Sequence, residues 1–197
     1  MITLFEQETI LPYGFSYYPE FLSEQEEMRL LAAIGKLELR PLIFQSFEAK
    51  RKVESYGYDY HFDSRTISKG KDIPQSLDFL INKVAAWLSI PADALAEVLV
   101  SEYPQGSVIN WHRDAPSFDI IIGISLLSDC KFRFRPYDKT KQHRKAILST
   151  DIARRSLYIL QGEARTDWEH SISPVKDIRY SITLRTLRKA AKASNNR

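Results

Sequence analysis

The 197-residue sequence predicts an α+β, mainly β fold, in which two N-terminal helices pack on one sheet of an antiparallel sandwich or jelly roll. Apolar residues at helical spacing are confined to the region before Pro91. After Pro91 the chain changes to short runs of β-branched and aromatic residues, separated by turn residues such as those at 104–106 and 162–163. Many short strands at this spacing favour a sandwich or jelly roll over a parallel sheet.

Composition restricts the class of protein and its compartment. The chain is 44% hydrophobic and 27% charged, which is typical of a single globular domain. Its single cysteine, Cys130, excludes an intrachain disulfide and a cysteine-rich zinc site, so we expect a reducing, cytoplasmic compartment. No apolar run approaches the length of a membrane span, and no glycine-rich nucleotide-binding loop occurs. The net charge of +3 permits a nucleic-acid partner without requiring one.

Two amphipathic helices are predicted in the N-terminal half. Ser23 is a good N-cap, and Glu26 completes a capping box for a helix over 23–38. A second helix begins after Pro74 and ends before Pro91. The apolar residues expected to face the core are Met28, Leu30, Leu31, Ile34 and Leu37 in the first helix, and Leu77, Leu80, Ile81, Val84 and Leu88 in the second.

The C-terminal half carries the predicted strands. They are the runs EVLVSEY, SVINWH, FDIIIGISLL, KFRFRP, KAILS, RSLYILQ and DIRYSITLRTL. The segment 49–62, between the two helices, reads as an exposed hairpin. We therefore expect one domain over 1–197, with the helices in 1–95, the strand-rich core in 96–188 and a basic tail in 189–197.

A histidine and an aspartate lie two residues apart in INWHRDAPSF, at His112 and Asp114. Side chains at i and i+2 of a strand point to the same face, so both polar groups converge on one place. For an isolated pair of this kind, a surface hydrogen bond is the alternative interpretation. A second pair, His61 and Asp63, lacks the downstream spacing and reads as a pair that binds no metal.

A third polar residue decides between these interpretations. His170 follows the predicted strand RSLYILQ, and a jelly roll can bring it beside His112 on the facing sheet. Two histidines and one carboxylate on one side of an iron ion form a facial triad that leaves coordination positions open for O₂. Imidazole nitrogen and carboxylate oxygen match Fe(II), so this set predicts an iron site.

Two arginines share a face of the last predicted strand. Arg179 and Arg185 lie six positions apart in RYSITLR, and an even difference places both on one face of a strand. Guanidinium groups that point into a barrel interior are unfavourable unless an anion meets them, and a dicarboxylate would match. The alternative is a pair of surface arginines on an edge strand.

The order and spacing of these residues form one pattern. Tyr103 lies nine residues before His112, the H-x-D pair and His170 follow, and RYSITLR closes the pattern at 179–185. In this order the residues resemble the AlkB family of Fe(II)/2-oxoglutarate dioxygenases, over roughly residues 50–187. The segment RRSLYILQGEARTDWEHSI also resembles the family's segment that leads to its distal histidine, here His170.

The resemblance implies a double-stranded β-helix (jelly-roll) core, Fe(II) as the metal, and 2-oxoglutarate and O₂ as co-substrates. It assigns the metal to His112, Asp114 and His170, which together with Arg179 are the implied catalytic residues. Tyr103 and Arg179 correspond to the groups that hold the distal carboxylate of 2-oxoglutarate. The second arginine of the family's motif corresponds to Arg185, at the metal-chelating end of the co-substrate.

The sequence departs from the family's pattern at two positions. Ser101 stands where some members have an asparagine, and its shorter hydroxyl contacts the co-substrate weakly or leaves that contact to water. Pro116 stands where some repair enzymes carry an acidic residue, which removes a polar group from the substrate mouth. The chemistry is therefore better defined than the substrate.

A segment around 43–65 resembles the family's nucleotide-recognition lid. Its tyrosines alternate in ESYGYDYHF, so they share a face if the segment is extended, and they could stack on an unpaired base. The basic run at 50–52 could contact phosphates. Packing of the tyrosines on the sheet is the alternative. The candidate substrate contacts are Tyr56, Tyr58, Tyr60, Arg51 and Arg165.

The resemblance implies oxidative demethylation of N-alkylated bases in DNA or RNA, as in the repair of alkylation damage, with release of formaldehyde, succinate and CO₂. A base must leave its stack to be reached, so a single strand or a flipped base is expected. We expect a monomer with no membrane partner. The alternatives are a tRNA- or protein-modifying dioxygenase of the same fold and a non-catalytic nucleic-acid-binding jelly roll.

Other polar and aromatic residues near these motifs have weaker assignments. Arg133 and Arg135 share a face opposite two phenylalanines and line either the substrate groove or a solvated face. Trp111 and Trp168 flank metal ligands and are expected to pack the walls of the site. His143 lies in a polar loop and is expected to be exposed.

Overall fold

The computed structural model describes residues 11–44, 47–61 and 64–188, and the predicted tail 189–197 lies outside that part. Its strands are β1 (Phe15–Tyr18), β2 (Arg40–Phe44), β3 (Phe47–His61), β4 (Thr66–Lys69), β5 (Leu95–Tyr103), β6 (Ile109–His112), β7 (Phe118–Leu126), β8 (Cys130–Pro136), β9 (Leu148–Ile152), β10 (Leu157–Leu160), β11 (Trp168–Ile172) and β12 (Arg179–Leu187). Its α-helices are α1 (Glu24–Ile34), α2 (Asp78–Leu88) and α3 (Gly162–Thr166). None of the helices in these ranges has the length and apolar character needed to cross a membrane.

Two antiparallel sheets form the body of the domain. The larger sheet has the strand order β1-β10-β7-β12-β5-β3-β2, with β4 paired to β3. The smaller sheet has the order β6-β11-β8-β9. Most neighbours in these sheets are not consecutive in sequence, as in a jelly roll, and the predicted fold class is confirmed.

The two N-terminal helices cover the outer face of the larger sheet. Apolar residues of α1 and α2 pack there against alternate residues of β5, β7 and β12. The fully buried members of this core include Leu30, Leu80, Val84, Val98, Val100, Ile122, Ile182 and Leu184. Burial of this apolar area stabilises the fold by roughly 25 cal/mol per Å².

Helix α1 begins as predicted and turns a different face inward. Ser23 and Glu26 form the predicted capping box, with the Ser23 hydroxyl accepting from the Glu26 backbone N–H. The helix ends at Ile34, earlier than the predicted 38. Met28 is 61% exposed, so the prediction that it faces the core was wrong. Glu27 is buried in its place, where it accepts a hydrogen bond from the Leu127 backbone at 2.8 Å and forms an ion pair with an arginine of the β9–β10 turn.

A second apolar core lies between the two sheets. Aromatic residues of β8 in the smaller sheet meet residues of β5, β7 and β10 in the larger one. Its buried aromatic members are Tyr103, Phe118, Phe132, Phe134 and Tyr158. These rings enclose the polar residues that the sequence predicts as a site.

The described part of the segment 49–62, residues 49–61, belongs to one strand of the larger sheet, so the prediction of an exposed hairpin was wrong. It forms most of β3, which pairs with β5 over residues 52–57 and with β2 and β4 on either side. Gly57 interrupts the strand with φ +85°, and a Cβ there would lie 2.1 Å from the Ala96 carbonyl oxygen. A left-handed residue at this close approach breaks the period-two alternation of the strand.

Candidate active site

The pairing of β6 with β11 brings two predicted metal ligands together. His112 ends β6 and His170 lies in β11, and the two are register partners across the antiparallel ladder. The prediction that His170 lies on the sheet facing His112 was wrong, because both strands belong to the smaller sheet. Their ring centroids are 4.3 Å apart. Asp114 follows two residues after β6, and one possible ligand atom from each of the three residues lies within 4.8 Å of the others. The structure therefore brings the predicted triad to one place.

Both imidazoles are prepared to bind a cation. The Nδ1 of His112 lies 2.8 Å from the Asn110 carbonyl oxygen, a contact that fixes the ring and leaves Nε2 free. Burial, together with the nearby His112, lowers the pKa of His170 to about 3. His170 is therefore neutral near pH 7, as a metal ligand must be. The Phe132 ring stacks on His170 at 5.3 Å between centroids.

The carboxylate of Asp114 is divided between two tasks. Its Oδ1 accepts from Arg185 Nε at 3.1 Å and Nη2 at 2.7 Å. Its Oδ2 is buried, has no hydrogen-bond partner among the described residues and lies 3.5 Å from His170 Nε2. Burial alone would raise the pKa of Asp114, but Arg185 and the two histidines outweigh it and lower the pKa. An unpartnered carboxylate oxygen beside two imidazoles fits Fe(II).

Arg185 is held from its other side by Glu97, which the sequence analysis did not single out. Arg185 Nη1 donates to Glu97 Oε2 at 2.6 Å, and the Ser55 hydroxyl donates to Glu97 Oε1 at 3.3 Å. Glu97 is 5% exposed. The signal available in the sequence was its position in β5, on the same alternate face as Ser101 and Tyr103.

Arg179 lies fully buried further along the same face of β12. Its Nε donates to the Ser125 hydroxyl at 3.1 Å, whereas Nη1 and Nη2 have no hydrogen-bond partner among the described residues. A buried guanidinium with two free nitrogens is unfavourable without an anion and matches a carboxylate in a bidentate manner. This pair of nitrogens fits the distal carboxylate of 2-oxoglutarate.

Tyr103 and Ser101 border this pocket from β5. The Arg179 guanidinium carbon lies 4.9 Å from the centre of the Tyr103 ring, and the Tyr103 hydroxyl is 3.3 Å from Ser181 Oγ. Burial would raise the pKa of Tyr103, but the positive charges of Arg51 and Arg179 outweigh it and lower the pKa. The Ser101 hydroxyl is buried and has no partner among the described residues. Both groups are therefore placed to meet an oxygen-rich ligand.

The three predicted lid tyrosines do not share one face, because Gly57 reverses the alternation of β3. Tyr56 is buried in the core beneath the helices. Tyr60 packs against the second core and lines an open cleft of about 330 Å³ together with Asp114. Tyr58 is half-buried and shares the strand face of Tyr60 in the regular β3–β4 ladder. The predicted lid also includes residues 45–46 and 62–63, which lie outside the described ranges, as does Asp63 of the second H-x-D pair.

The two predicted arginines of the substrate mouth have different surroundings. Arg51 lies with its guanidinium carbon 5.8 Å from the centre of the Tyr103 ring, close to the co-substrate pocket. Arg165 is 5% exposed and donates from Nη2 to the carbonyl oxygens of Ala115 at 2.5 Å and Phe118 at 3.2 Å. Arg165 therefore holds the loop that carries Asp114, and it also lines the cleft.

The neighbours of the ligands divide between the two faces of the smaller sheet. Trp111 was predicted to pack the walls of the site, which was wrong, because it points to the outer face and contacts Arg133 and Arg135 there. Trp168 packs against the second core. His143 is exposed, as predicted. Period-two alternation explains the outcome for Trp111, which adjoins His112 in the strand.

Comparison with known proteins identifies the family. The family model described as "2OG-Fe(II) oxygenase superfamily" matches residues 14–195. The chain belongs to this superfamily. Members of the 2OG-Fe(II) oxygenase superfamily use Fe(II), 2-oxoglutarate and O₂, and the donor set and the orphaned Arg179 nitrogens fit these groups. The predicted enzyme class and cofactors are confirmed.

Relatives of this 2OG-Fe(II) oxygenase support the predicted AlkB type. It is 29% identical over 220 residues to the Arabidopsis thaliana "Alkylated DNA repair protein ALKBH8 homolog", covering 95% of this chain and 62% of that protein. It is also 29% identical to the Mus musculus "tRNA (carboxymethyluridine(34)-5-O)-methyltransferase ALKBH8", covering 84% of this chain and 25% of that protein. The chain therefore spans less than two thirds of either relative.

Solved structures agree on the fold. "The structure of OsALKBH1" matches with a TM-score of 0.63 at 15% identity, over 89% of this chain and 98% of that chain. A Pseudomonas putida prolyl-4-hydroxylase matches with a TM-score of 0.58 at 16% identity, over 90% of this chain and 94% of that chain. At these identities the likeness concerns the jelly-roll fold alone.

Proposed function

We propose that this oxygenase oxidises an alkyl group on a nucleic-acid base, and that it demethylates N-alkylated bases in DNA or RNA with release of formaldehyde, succinate and CO₂. One observation carries the proposal: Asp114 Oδ2 and the two outer nitrogens of Arg179 are buried without hydrogen-bond partners among the described residues, and Asp114 lines a cleft together with Tyr60. When bound, Fe(II) and 2-oxoglutarate supply the activation of O₂ for insertion of oxygen into a C–H bond.

The chain's own residues bind, orient and shield. His112, Asp114 and His170 would hold the metal, and Arg179 with Tyr103 would hold the distal carboxylate of 2-oxoglutarate. Phe132 and Phe134, both buried, exclude water from the inner face of the smaller sheet. Exclusion of water strengthens each ionic contact in the pocket and limits side reactions.

A nucleic-acid substrate is supported by the relatives and by the cleft. Both relatives described above carry names that refer to DNA repair or to tRNA. Tyr60 and the exposed Tyr137 offer aromatic rings at the cleft, and such rings stack on unpaired bases of any sequence. Because a duplex hides its base edges, we expect a single strand or a base flipped out of its stack. The cytoplasmic location and the monomeric state stay predictions.

A second candidate is hydroxylation of a base substituent in tRNA, without loss of the group. The name of the mouse relative refers to a modified tRNA uridine, which favours this candidate. Pro116 lies exposed at the cleft and offers no side-chain hydrogen bond to a substrate base. Hydroxylation on a carbon bound to nitrogen yields an unstable product that loses formaldehyde, whereas hydroxylation on a carbon bound to carbon yields a stable alcohol.

The products therefore distinguish the two candidates. N-methylated DNA and RNA oligonucleotides, unfractionated tRNA and a control peptide pool are each incubated with Fe(II) and 2-oxoglutarate. Demethylation predicts succinate and formaldehyde in equal amounts, whereas the second candidate predicts succinate and a tRNA nucleoside one oxygen atom heavier. Succinate formation that depends only on the peptide pool would reject a nucleic-acid substrate.

Two aspartate variants test the assigned metal site, one at the site itself and one as a matched control nearby in the chain. Asp114→Ala is expected to abolish turnover while the circular dichroism spectrum stays that of the folded protein. Asp119→Ala, an exposed position five residues later, is expected to keep full activity. Turnover by Asp114→Ala at the unsubstituted rate would remove the assigned metal site from the proposal.

A further inference from the structure

Positive charge is concentrated in one hairpin of the smaller sheet. We call residues 130–152, which comprise β8, β9 and the loop between them, the basic hairpin. Of the 28 basic and 25 acidic residues of the chain, seven basic and two acidic residues lie in the basic hairpin, which leaves 21 and 23 for the rest. The basic hairpin therefore contributes a net charge of +5, whereas the rest of the chain has a net charge of −2.

The loop of the basic hairpin is ordered and displays its cations to solvent. Two short 3₁₀ turns, Lys139–Lys141 and Arg144–Ala146, follow one another in it. The Gln142 side-chain amide donates to the Pro136 carbonyl oxygen at 2.8 Å and to Glu169 Oε2 at 3.2 Å, which fastens the loop to β8 and β11. A fixed loop loses little conformational entropy when it binds a partner.

The cations of this loop are largely free of internal partners. The side chains of Lys139 and Lys141 are 69% and 72% exposed, and their nearest carboxylates lie at 3.6 and 3.7 Å. Arg144 and Lys145 are exposed and form no ion pair with another described residue. Ion pairs at such exposure are weak, so these cations remain available to an external anion.

The strand part of the basic hairpin adds an aromatic ring between cations. Arg133 and Arg135 project from the outer face of β8, with guanidinium carbons 4.9 and 4.7 Å from the centre of the Trp111 ring. Trp111 is half-buried on this face. Arginine and aromatic side chains in alternation are the groups that contact the backbone and bases of single-stranded nucleic acids.

This surface continues to the mouth of the site. Tyr137, at the end of β8, lines the cleft together with Asp114, and the Arg113 guanidinium carbon stacks 3.4 Å from the centre of its ring. Lys139 Nζ lies 6.0 Å from the same ring. A strand bound along the basic hairpin would therefore reach the cleft that leads to the triad.

We propose that the basic hairpin binds the phosphate backbone of a single-stranded nucleic acid, next to the nucleotide that enters the cleft. The inference rests on the proposed function for the position of that nucleotide, and on the charge distribution for the class of partner. Repeating phosphates match a surface with clustered cations, and their binding releases condensed counterions. A solvated face with no partner is the opposing explanation for such a charge run.

Binding is measured by fluorescence anisotropy with a fluorescein-labelled, unmethylated single strand of about 12 nucleotides, at several salt concentrations and without added metal. The hairpin variant carries Lys141→Gln, Arg144→Gln and Lys145→Gln. Its matched control carries Arg29→Gln, Lys36→Gln and Arg40→Gln, which are exposed positions in or near α1 and β2. Both variants lose the same charge, so a general electrostatic effect would weaken binding equally in the two.

We expect the hairpin variant to bind at least tenfold more weakly than the control variant at low salt. Its plot of log affinity against log salt is expected to flatten by about 2, because each lost phosphate contact removes about 0.7 from the slope for single strands. Equal affinities and slopes for the two variants would overturn the assignment of the surface.

The binding assay and the turnover assay fail independently. Hairpin-dependent binding without turnover of any methylated strand would leave the surface standing and reject the demethylase proposal. Turnover of methylated strands together with unchanged binding by the hairpin variant would reject the surface and leave the demethylase proposal standing.

Discussion

Arg185 donates two hydrogen bonds to a single carboxylate oxygen of Asp114. Its Nε and Nη2 both donate to Oδ1, and Oδ2 is left free beside His170. Charge-assisted hydrogen bonds of this kind fix the plane of a carboxylate as well as its charge. The arginine that the sequence assigned to the co-substrate therefore orients a predicted metal ligand in the structure, and Glu97 holds that arginine from behind.

Glu97→Gln is expected to weaken metal binding. The amide keeps the shape of the side chain but loses the charge that anchors Arg185 Nη1, so the guanidinium is less strictly aimed at Asp114. Partners that orient a ligand in this way typically contribute roughly 10–100-fold to metal affinity. The measurement is calorimetric titration of the metal-free protein with Mn(II). Glu102→Gln, at the partly buried glutamate of β5, serves as the control and is expected to keep the affinity of the unsubstituted protein.

Arg179→Lys is expected to raise KM for 2-oxoglutarate while Mn(II) affinity stays unchanged. A lysine cannot present two parallel N–H groups to a carboxylate, and its ammonium would lie buried without the Ser125 contact. Loss of one charge-assisted hydrogen bond corresponds to about 1.5–3 kcal/mol, which is roughly a 10–100-fold rise in KM. Steady-state kinetics at varied 2-oxoglutarate provide the check, and an unchanged KM would show that the distal carboxylate binds elsewhere.

Gly57→Ala is expected to destabilise the protein by more than about 1 kcal/mol, because alanine is incompatible with both the backbone angle and the space. Its Cβ would lie 2.1 Å from a backbone oxygen of β5. Gly106 is a matched control, since it also has a positive φ, of +80°, but a Cβ there would meet only Lys50 Nζ, at 3.7 Å. Urea denaturation of both variants separates the cost of the positive φ from the cost of the steric clash. Equal losses of stability would contradict the close approach at Gly57.

Glu26→Gln is expected to lower stability at neutral pH and to have no effect in acid. The hydrogen bond from Lys83 lowers the pKa of Glu26, with burial opposing it. A carboxylate with a lowered pKa stabilises the fold above its unfolded pKa, and this contribution is lost as the pH falls through the folded pKa. Glutamine still serves the capping box at this position, so the change isolates the ion pair, for which about 0.2–1 kcal/mol is expected. The free energies of unfolding of the variant and the unsubstituted protein are measured from about pH 7 down to about pH 3, and the two values are expected to become equal at the acid end.

Spacing in the sequence predicted those parts of the site that depend on local geometry. His112 and Asp114 converge as the spacing predicts, although Asp114 lies in the loop beyond β6. The even interval between Arg179 and Arg185 places both inside the fold. The meeting of His112 with His170 depends on the fold, which the pattern of short strands predicted as a sandwich or jelly roll, and on the pairing of β6 with β11, which it did not predict. Glu97 was missed because a lone acidic residue in an apolar strand reveals its partner only when β12 lies beside β5.

The errors have equally specific causes. Met28 faces solvent and Glu27 is buried because Glu27 forms an ion pair with an arginine of the β9–β10 turn, and no pattern within the helix predicts that contact. Tyr56 and Tyr60 lie on different faces of β3 because Gly57 interrupts the period-two alternation of its side chains. Trp111 faces outward because its neighbour in the strand, His112, faces inward.

The position of the two histidines in the β6–β11 pair links the stability of β6 to the bound metal. β6 has four residues, pairs in the described chain only with β11, and shows an irregular register after the histidines. A metal ion bound by both His112 and His170 would link this short edge strand to β11. Metal binding would therefore raise the free energy of local unfolding of β6. Stripping the ion with a chelator should accelerate amide hydrogen exchange in β6 well before it does so in β10, which lies inside the larger sheet.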